Sequence, residues 1–312
     1  MPGIPLICRT ATPFKKSGEL DPEALEAHLQ RLLDSGHGVY LASGASGEGH
    51  ALTIEEIREV YRLGVAVCQG KVPVNSNQPE QHTARDTIAH AQLAIEAKVD
   101  HINLYGPEGR HGYRPTDLEY QAYFDTVLRE IRYPVALAPN PAIGYRPSIH
   151  TVAAVVDSHP QIVSVNLAGI KGDAYFVALK DALTRDVDIF VPFSGSQHML
   201  EMGATGLLAA EANIIPKSLR SYLDHYERGE FGPLADVYAG LVRFTEFIGR
   251  WSSASPRWIK LAMRAFGLPG SDGGVREPYL MPDAAEVEEF RHGAAALGLP
   301  EITAMLPGTA GR

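Results

Sequence analysis

Eight short apolar runs, each followed by a longer connecting stretch, fill the first two-thirds of the chain. They fall at Ile4–Cys8, Gly38–Ala42, Val72–Asn75, His101–Tyr105, Val135–Ala138, Ile162–Asn166, Ile189–Phe193 and Gly206–Ala209. The connections are too long for hairpins, so the strands must be parallel and joined by crossover helices. Eight such units close most simply into a (β/α)8 TIM barrel, an α/β fold. An open doubly wound sheet is the competing arrangement. It usually carries a Gly-rich turn after the first strand, and Thr10-Ala-Thr-Pro-Phe14 stands there instead.

The connecting stretches read as helices. Asp21–Leu33 places Leu25, Leu29 and Leu32 on one face at helical spacing. Thr53–Val67 opens with Thr53-Ile-Glu-Glu56, a capping box in which the Thr oxygen and the Glu carboxylate satisfy free N–H groups. Thr83–Ala97, Thr116–Ile131 and Ala174–Leu183 follow the same logic. After residue 214 the pattern is helical throughout, over Lys217–Glu227, Leu234–Trp251, Pro256–Phe266 and Ala284–Leu297, with Gly267 and Gly298 where helices end. The expected division is a barrel over 1–215, then the last barrel helix and a packed helical extension over 216–312.

Composition narrows the function classes. Lys and Arg number 28 against 37 Asp and Glu, a net charge of −9, which argues against a nucleic-acid partner or an anionic membrane surface. Two cysteines, Cys8 and Cys68, exclude a disulfide framework and a Cys-rich zinc site. No basic run followed by an apolar stretch opens the chain, and no apolar run reaches the roughly 18–20 residues of a membrane helix. A cytoplasmic protein is expected.

In such a barrel the chemistry sits at the C-terminal ends of the strands. The residues expected there include Thr10 and Thr12; Ser43 through His50; Asn75 and Asn77; Tyr105, Arg110 and His111; Asn140, Tyr145 and Arg146; Asn166 and Lys171; Ser194, Ser196 and His198; Glu211 and Asn213. Gly44-Ala-Ser-Gly-Glu48 is a turn whose N–H groups can cradle a carboxylate or phosphate, or simply a tight turn. Asn75, Asn140, Asn166 and Asn213 can donate to an oxyanion, although Asn is also common at turns. Glu48 can serve a ligand or satisfy backbone N–H groups. Arg146 can clamp a carboxylate or lie on the surface. His50, His111 and His198 are candidates for proton transfer, alone or beside Glu48 or Glu211. No spacing of ligands supports a metal.

These residues carry a resemblance. Thr12-Pro-Phe14, Gly44–Glu48 with Glu55-Glu56, His159-Pro-Gln-Ile-Val-Ser-Val165, Gly195 with Gly203-Ala-Thr-Gly206, Trp258-Ile-Lys260 and Arg276-Glu-Pro278 resemble the dihydrodipicolinate synthase / N-acetylneuraminate lyase family of pyruvate-dependent aldolases. The likeness runs along nearly the whole chain. It implies a (β/α)8 lyase, a homodimer or homotetramer, and no organic cofactor. It also implies a lysine at the end of strand six that forms a Schiff base with a 2-oxo acid.

The chain departs from that pattern where the chemistry lies. Gap-free matching puts Asn166 at the lysine position, Ala138 at the family's tyrosine and Ala45 at the first threonine of its Gly-Thr-Thr-Gly-Glu motif. An amide nitrogen is not a nucleophilic amine. Lys171, in Gly169-Ile-Lys-Gly172, can replace the lysine only through a five-residue shift. An odd shift turns a strand side chain to the opposite face. The expectation is a diverged lyase acting on a small carboxylate, a 2-oxo acid above all, without the usual Schiff base. Ser46, Ala45, Gly47, Glu48, Arg146, Ser194 and Gly195 would bind it, and Lys171, Asn166 and Asn140 would carry the reaction. The alternative is a catalytically inactive barrel that binds a small acid as a regulator or partner subunit.

Overall fold

The computed structural model describes residues 3–170, 172–251 and 256–306. Eight parallel strands close in sequence order, with β1 paired to β8 as well as to β2. They are β1 Leu6–Arg9, β2 Gly38–Leu41, β3 Val74–Asn77, β4 His101–Tyr105, β5 Val135–Ala138, β6 Ile162–Asn166, β7 Asp188–Pro192 and β8 Gly206–Ala209. The barrel helices are α1 Pro22–Asp34, α2 Ile54–Cys68, α3 Ala84–Ala97, α4 Asp117–Glu130, α5 Ile149–Ser158, α6 Asp173–Ala182, α7 Ser196–Glu201 and α8 Pro216–Arg228. The expected (β/α)8 fold is the observed one.

Local chemistry sets the helix starts. Thr53 and Thr116 close capping boxes with Glu56 and Glu119. Asp21, Thr83 and Ser148 each accept one N–H at their helix start. Such a cap contributes about 1 kcal/mol. Helix α5 is nearly all apolar and β-branched along Ile-His-Thr-Val-Ala-Ala-Val-Val, so its sequence shows little helical periodicity; burial against the sheet holds it.

Alternation along each strand separates two faces. Leu6, Cys8, Val39, Leu41, Val74, Leu104, Leu137, Val165, Val191 and Leu207 face the helices and belong to one continuous core. Ile7, Tyr40, Ala168, Phe190 and Leu208 form a smaller apolar cluster inside the barrel. The chain then continues in α9 Phe231–Gly249, α10 Pro256–Phe266, α11 Ala284–Ala295 and α12 Pro300–Met305, whose Phe244, Trp258 and Phe290 join the outer core. No helix among the described residues is long and apolar enough to cross a membrane.

A cluster of contacts ties this extension to the mouth of the barrel. Glu48 stands at φ +52 in the turn after β2 and is fully buried. One carboxylate oxygen accepts the N–H of Arg276 at 2.7 Å, and the other lies 3.3 Å from Lys260 Nζ on α10. Lys260 also donates to the carbonyls of Thr12 at 2.6 Å and Gly274 at 3.2 Å. The Phe14 ring lies 4.5 Å from Lys260 Nζ and 4.2 Å from the Arg276 guanidinium carbon.

Candidate active site

On β2, β3, β4 and β6 the inward-facing residues near the strand ends are polar and neutral. Asn166, the last residue of β6, is buried. Its amide nitrogen donates to the Tyr40 hydroxyl oxygen and, at 2.7 Å, to Asn103 Oδ1. Asn103 Nδ2 passes the chain on to Asn77 Oδ1 at 2.9 Å, which also accepts from the Tyr105 hydroxyl at 2.8 Å. Below them His101 Nδ1 meets Asn75 Oδ1 at 3.0 Å. Burial pushes both tyrosine hydroxyls above their usual range, so they remain protonated.

The network is not closed. Asn166 Oδ1 is buried and has no partner among the described residues. The same is true of Nε of Arg9, the last residue of β1. Both atoms belong to the last residue of a strand, at the end of the barrel where the mouth opens.

One acid belongs to this region. Glu80 follows β3, and a Cβ on Gly44 would lie 2.7 Å from its Oε2, so the carboxyl group packs directly on the turn after β2. Burial raises its pKa; Glu108 adds to the rise and His50 opposes it. That is the shift expected of a group that exchanges protons near neutral pH.

A model of the dihydrodipicolinate synthetase family matches residues 5–296. The chain belongs to the dihydrodipicolinate synthetase family. That is a family of aldolase-type lyases. Among curated relatives, the 4-hydroxy-tetrahydrodipicolinate synthase of Xanthomonas axonopodis pv. citri is 30% identical over 287 residues, 90% of each chain. That of Hyphomonas neptunium is 28% identical, over 92% of this chain and 96% of its own. Among solved structures, a dihydrodipicolinate synthase from Bacillus anthracis superposes with a TM-score of 0.84 at 23% identity, covering 96% of this chain and 98% of its own.

Against that family pattern, the register of β6 is informative. Ser164, Val165 and Asn166 pair with Asp188, Ile189 and Phe190 of β7, so Asn166 occupies the end of the strand. Lys171, five residues later, lies outside the described residues. The segment between them folds back. Gly169, at φ +79, lies so close to Asn140 that a Cβ would meet its Oδ1 at 2.8 Å, and Ala168 joins the apolar cluster within the barrel.

The other expected site residues separate into three groups. Ser46 and Gly47 are buried and Ala45 exposed, and the N–H groups of Gly44, Ala45 and Ser46 meet no acceptor among the described residues. Gly47 is required there, because a Cβ would meet the Ser43 nitrogen at 2.7 Å. Glu48, in the same turn, faces away toward Lys260 and Arg276 and takes the structural role. Ser194, Gly195 and Arg146 are exposed, and the Arg146 guanidinium stacks 5.7 Å from the Tyr175 ring.

Three of the expected amides have partners that the sequence does not show. Asn166 uses both amide hydrogens on Tyr40 and Asn103, so it offers a ligand its oxygen and not an N–H donor. Asn140 Oδ1 accepts the N–H of Ala142 at 3.0 Å and so caps the turn after β5. Asn213 is a structural clamp. Its oxygen accepts from Ala11 N–H at 2.9 Å and contacts His28 Nε2 at 2.9 Å, while its nitrogen donates to the carbonyls of Arg9 and Ala210. The expected histidine pairs do not assemble. His50 is exposed and held by the Gly44 carbonyl, His111 and His198 are exposed, and Glu48 is committed to the joint.

Proposed function

We propose that this chain is a lyase that makes or breaks a carbon–carbon bond in a small carboxylate, with a 2-oxo acid as one reactant and without a lysine Schiff base. The observation that carries the reading is Asn166. It ends β6 where the family places its lysine, and it is locked by Tyr40 and Asn103 with a free oxygen. In the cleavage direction Glu80, as the carboxylate, takes the proton of a substrate hydroxyl. The carbon–carbon bond breaks, its electron pair moves onto the 2-oxo group as an enolate, and the enolate carbon then takes back the proton held by Glu80. Tyr40, whose oxygen accepts from Asn166, retains its own proton to stabilise that oxygen. The open N–H groups of Gly44–Ser46 hold the carboxylate. A homodimer or homotetramer remains part of the reading.

The test is a panel of 4-hydroxy-2-oxo acids, assayed for release of the smaller oxo acid. Turnover is expected in the wild type, with kcat reduced about 10²–10⁴-fold in Glu80→Gln and KM less affected. A panel member that raises the melting temperature without forming product would favour the inactive binding barrel instead.

A further inference from the structure

The barrel's other inward or half-buried cations have visible partners. Lys260 has Glu48 and two carbonyls. Arg31 donates to the carbonyls of Asn213 and Ile214. Arg185 donates to those of Val156, His159 and Ile162. Arg9 differs from all three.

Its position follows from strand geometry. Ile7 belongs to the cluster inside the barrel, and Arg9, two residues on, shares that face. It pairs in register with Tyr40, whose hydroxyl contacts Asn166. Its charge also acts on Tyr105 of β4, across the barrel. The side chain therefore reaches into the lumen among the neutral network. Its Nε is buried and unpartnered, and the side chain takes part in no hydrogen bond or ion pair among the described residues. A guanidinium cannot shed its proton to relieve burial. An unneutralised cation in the mouth of a chain with net charge −9 is expensive unless something uses it.

We propose that Arg9 supplies the positive charge to the substrate carboxylate that the Gly44–Ser46 N–H groups also meet, and that the acid it holds carries a hydroxyl, distinct from the one Glu80 deprotonates, which donates to Asn166 Oδ1. Arg9 offers donors and a positive charge, and Asn166 offers an acceptor. A hydroxy carboxylate satisfies both, whereas a simple carboxylate satisfies one and a neutral hydroxy amide lacks the charge. This rests on the lyase reading for the acid's identity as substrate; the binding itself requires no turnover.

The experiment uses the full chain and three probes, lactate, propionate and lactamide, at equal ionic strength set with sodium chloride. Thermal shift and calorimetry are read for the wild type, Arg9→Leu, Arg9→Lys and Asn166→Leu. Lactate should stabilise the wild type most, propionate less and lactamide not at all. Arg9→Leu should weaken lactate binding about tenfold or more, while the ligand-free melting temperature stays level or rises. Arg9→Lys should restore part of the binding. In Asn166→Leu the preference for lactate over propionate should vanish. The proposal is overturned if lactate does not stabilise the wild type, if its shift survives in Arg9→Leu, or if Arg9→Leu lowers the ligand-free melting temperature as loss of a structural contact would. Absence of turnover alongside intact, Arg9-dependent binding would count against the lyase reading alone.

Discussion

Two buried polar regions lie at the same end of the barrel and are built on opposite principles. In the joint between barrel and extension, Glu48 meets Lys260 and the Arg276 N–H, Lys260 also meets two carbonyls, and Phe14 carries both cations on its ring. In the lumen, Arg9 lacks a partner and Asn166 keeps a free oxygen. The first pattern is that of structure, because a buried charge is tolerated when its partners are fixed. The second is that of a site, where the missing partner arrives with the ligand. The distinction explains how Glu48, from a Gly-rich turn suited to ligands, serves folding while its neighbours Ala45 and Ser46 retain open N–H groups.

The largest expected effect breaks the joint. Lys260→Met leaves the Glu48 carboxylate buried against one N–H and should lower the unfolding free energy by about 3–5 kcal/mol in urea titrations. Lys260→Met combined with Glu48→Leu should recover much of that loss. A single variant as stable as the wild type would show that the pair does not fasten the extension.

Acid should weaken the fold as well. His28 and His37 are fully buried, and burial lowers both pKa values from 6.5 to about 4. Between those values the unfolded chain binds the protons that the folded chain refuses. Stability is therefore fully present above pH 6.5 and falls as the pH drops toward 4, by roughly 3 kcal/mol per histidine. Unfolding titrations across that window check the slope. His28→Gln, which keeps a hydrogen-bonding group near Asn213 without a titration, should remove about half of it.

In the lumen the signs of stability and function should part. Tyr40→Phe removes one hydroxyl and should cost about 1 kcal/mol of stability, yet reduce turnover far more. Equal and small effects on both would place Tyr40 in the packing alone. The smallest effect is a control outside both regions. Thr53→Ala opens the α2 capping box and should cost about 1 kcal/mol without changing binding.

The fold was legible because its signal repeats. Eight apolar runs and their capped helices each point to the same alternating architecture, and small errors at their ends do not alter the topology. The site was legible only in part, since single residues at those ends decide it. Reading the first strand as Ile4–Cys8 starts the mouth at Thr10, but β1 runs to Arg9, and the twofold alternation from Ile7 turns Arg9 inward. Reading the third strand to Asn75 hides Glu80, because β3 continues to Asn77 and carries the following turn up against Gly44. Asn75, Asn77 and Asn166 stand out in the sequence at strand ends, whereas Asn103, inside β4, does not. Their connection across the barrel depends on closure, which brings β2, β3, β4 and β6 around one axis. The roles of Glu48 and Asn213 also depended on distant partners, Lys260 and His28.

Borohydride trapping tests the central claim most directly. The protein is incubated with pyruvate, and in parallel with larger 2-oxo acids, then reduced and weighed intact, with peptide mapping of any adduct. The mass should remain that of the unmodified chain under conditions where the lyase assay shows turnover. A single reduced adduct of pyruvate on a lysine, Lys171 above all, would mean that the reaction proceeds through an imine after all, and that Asn166 does not replace that chemistry.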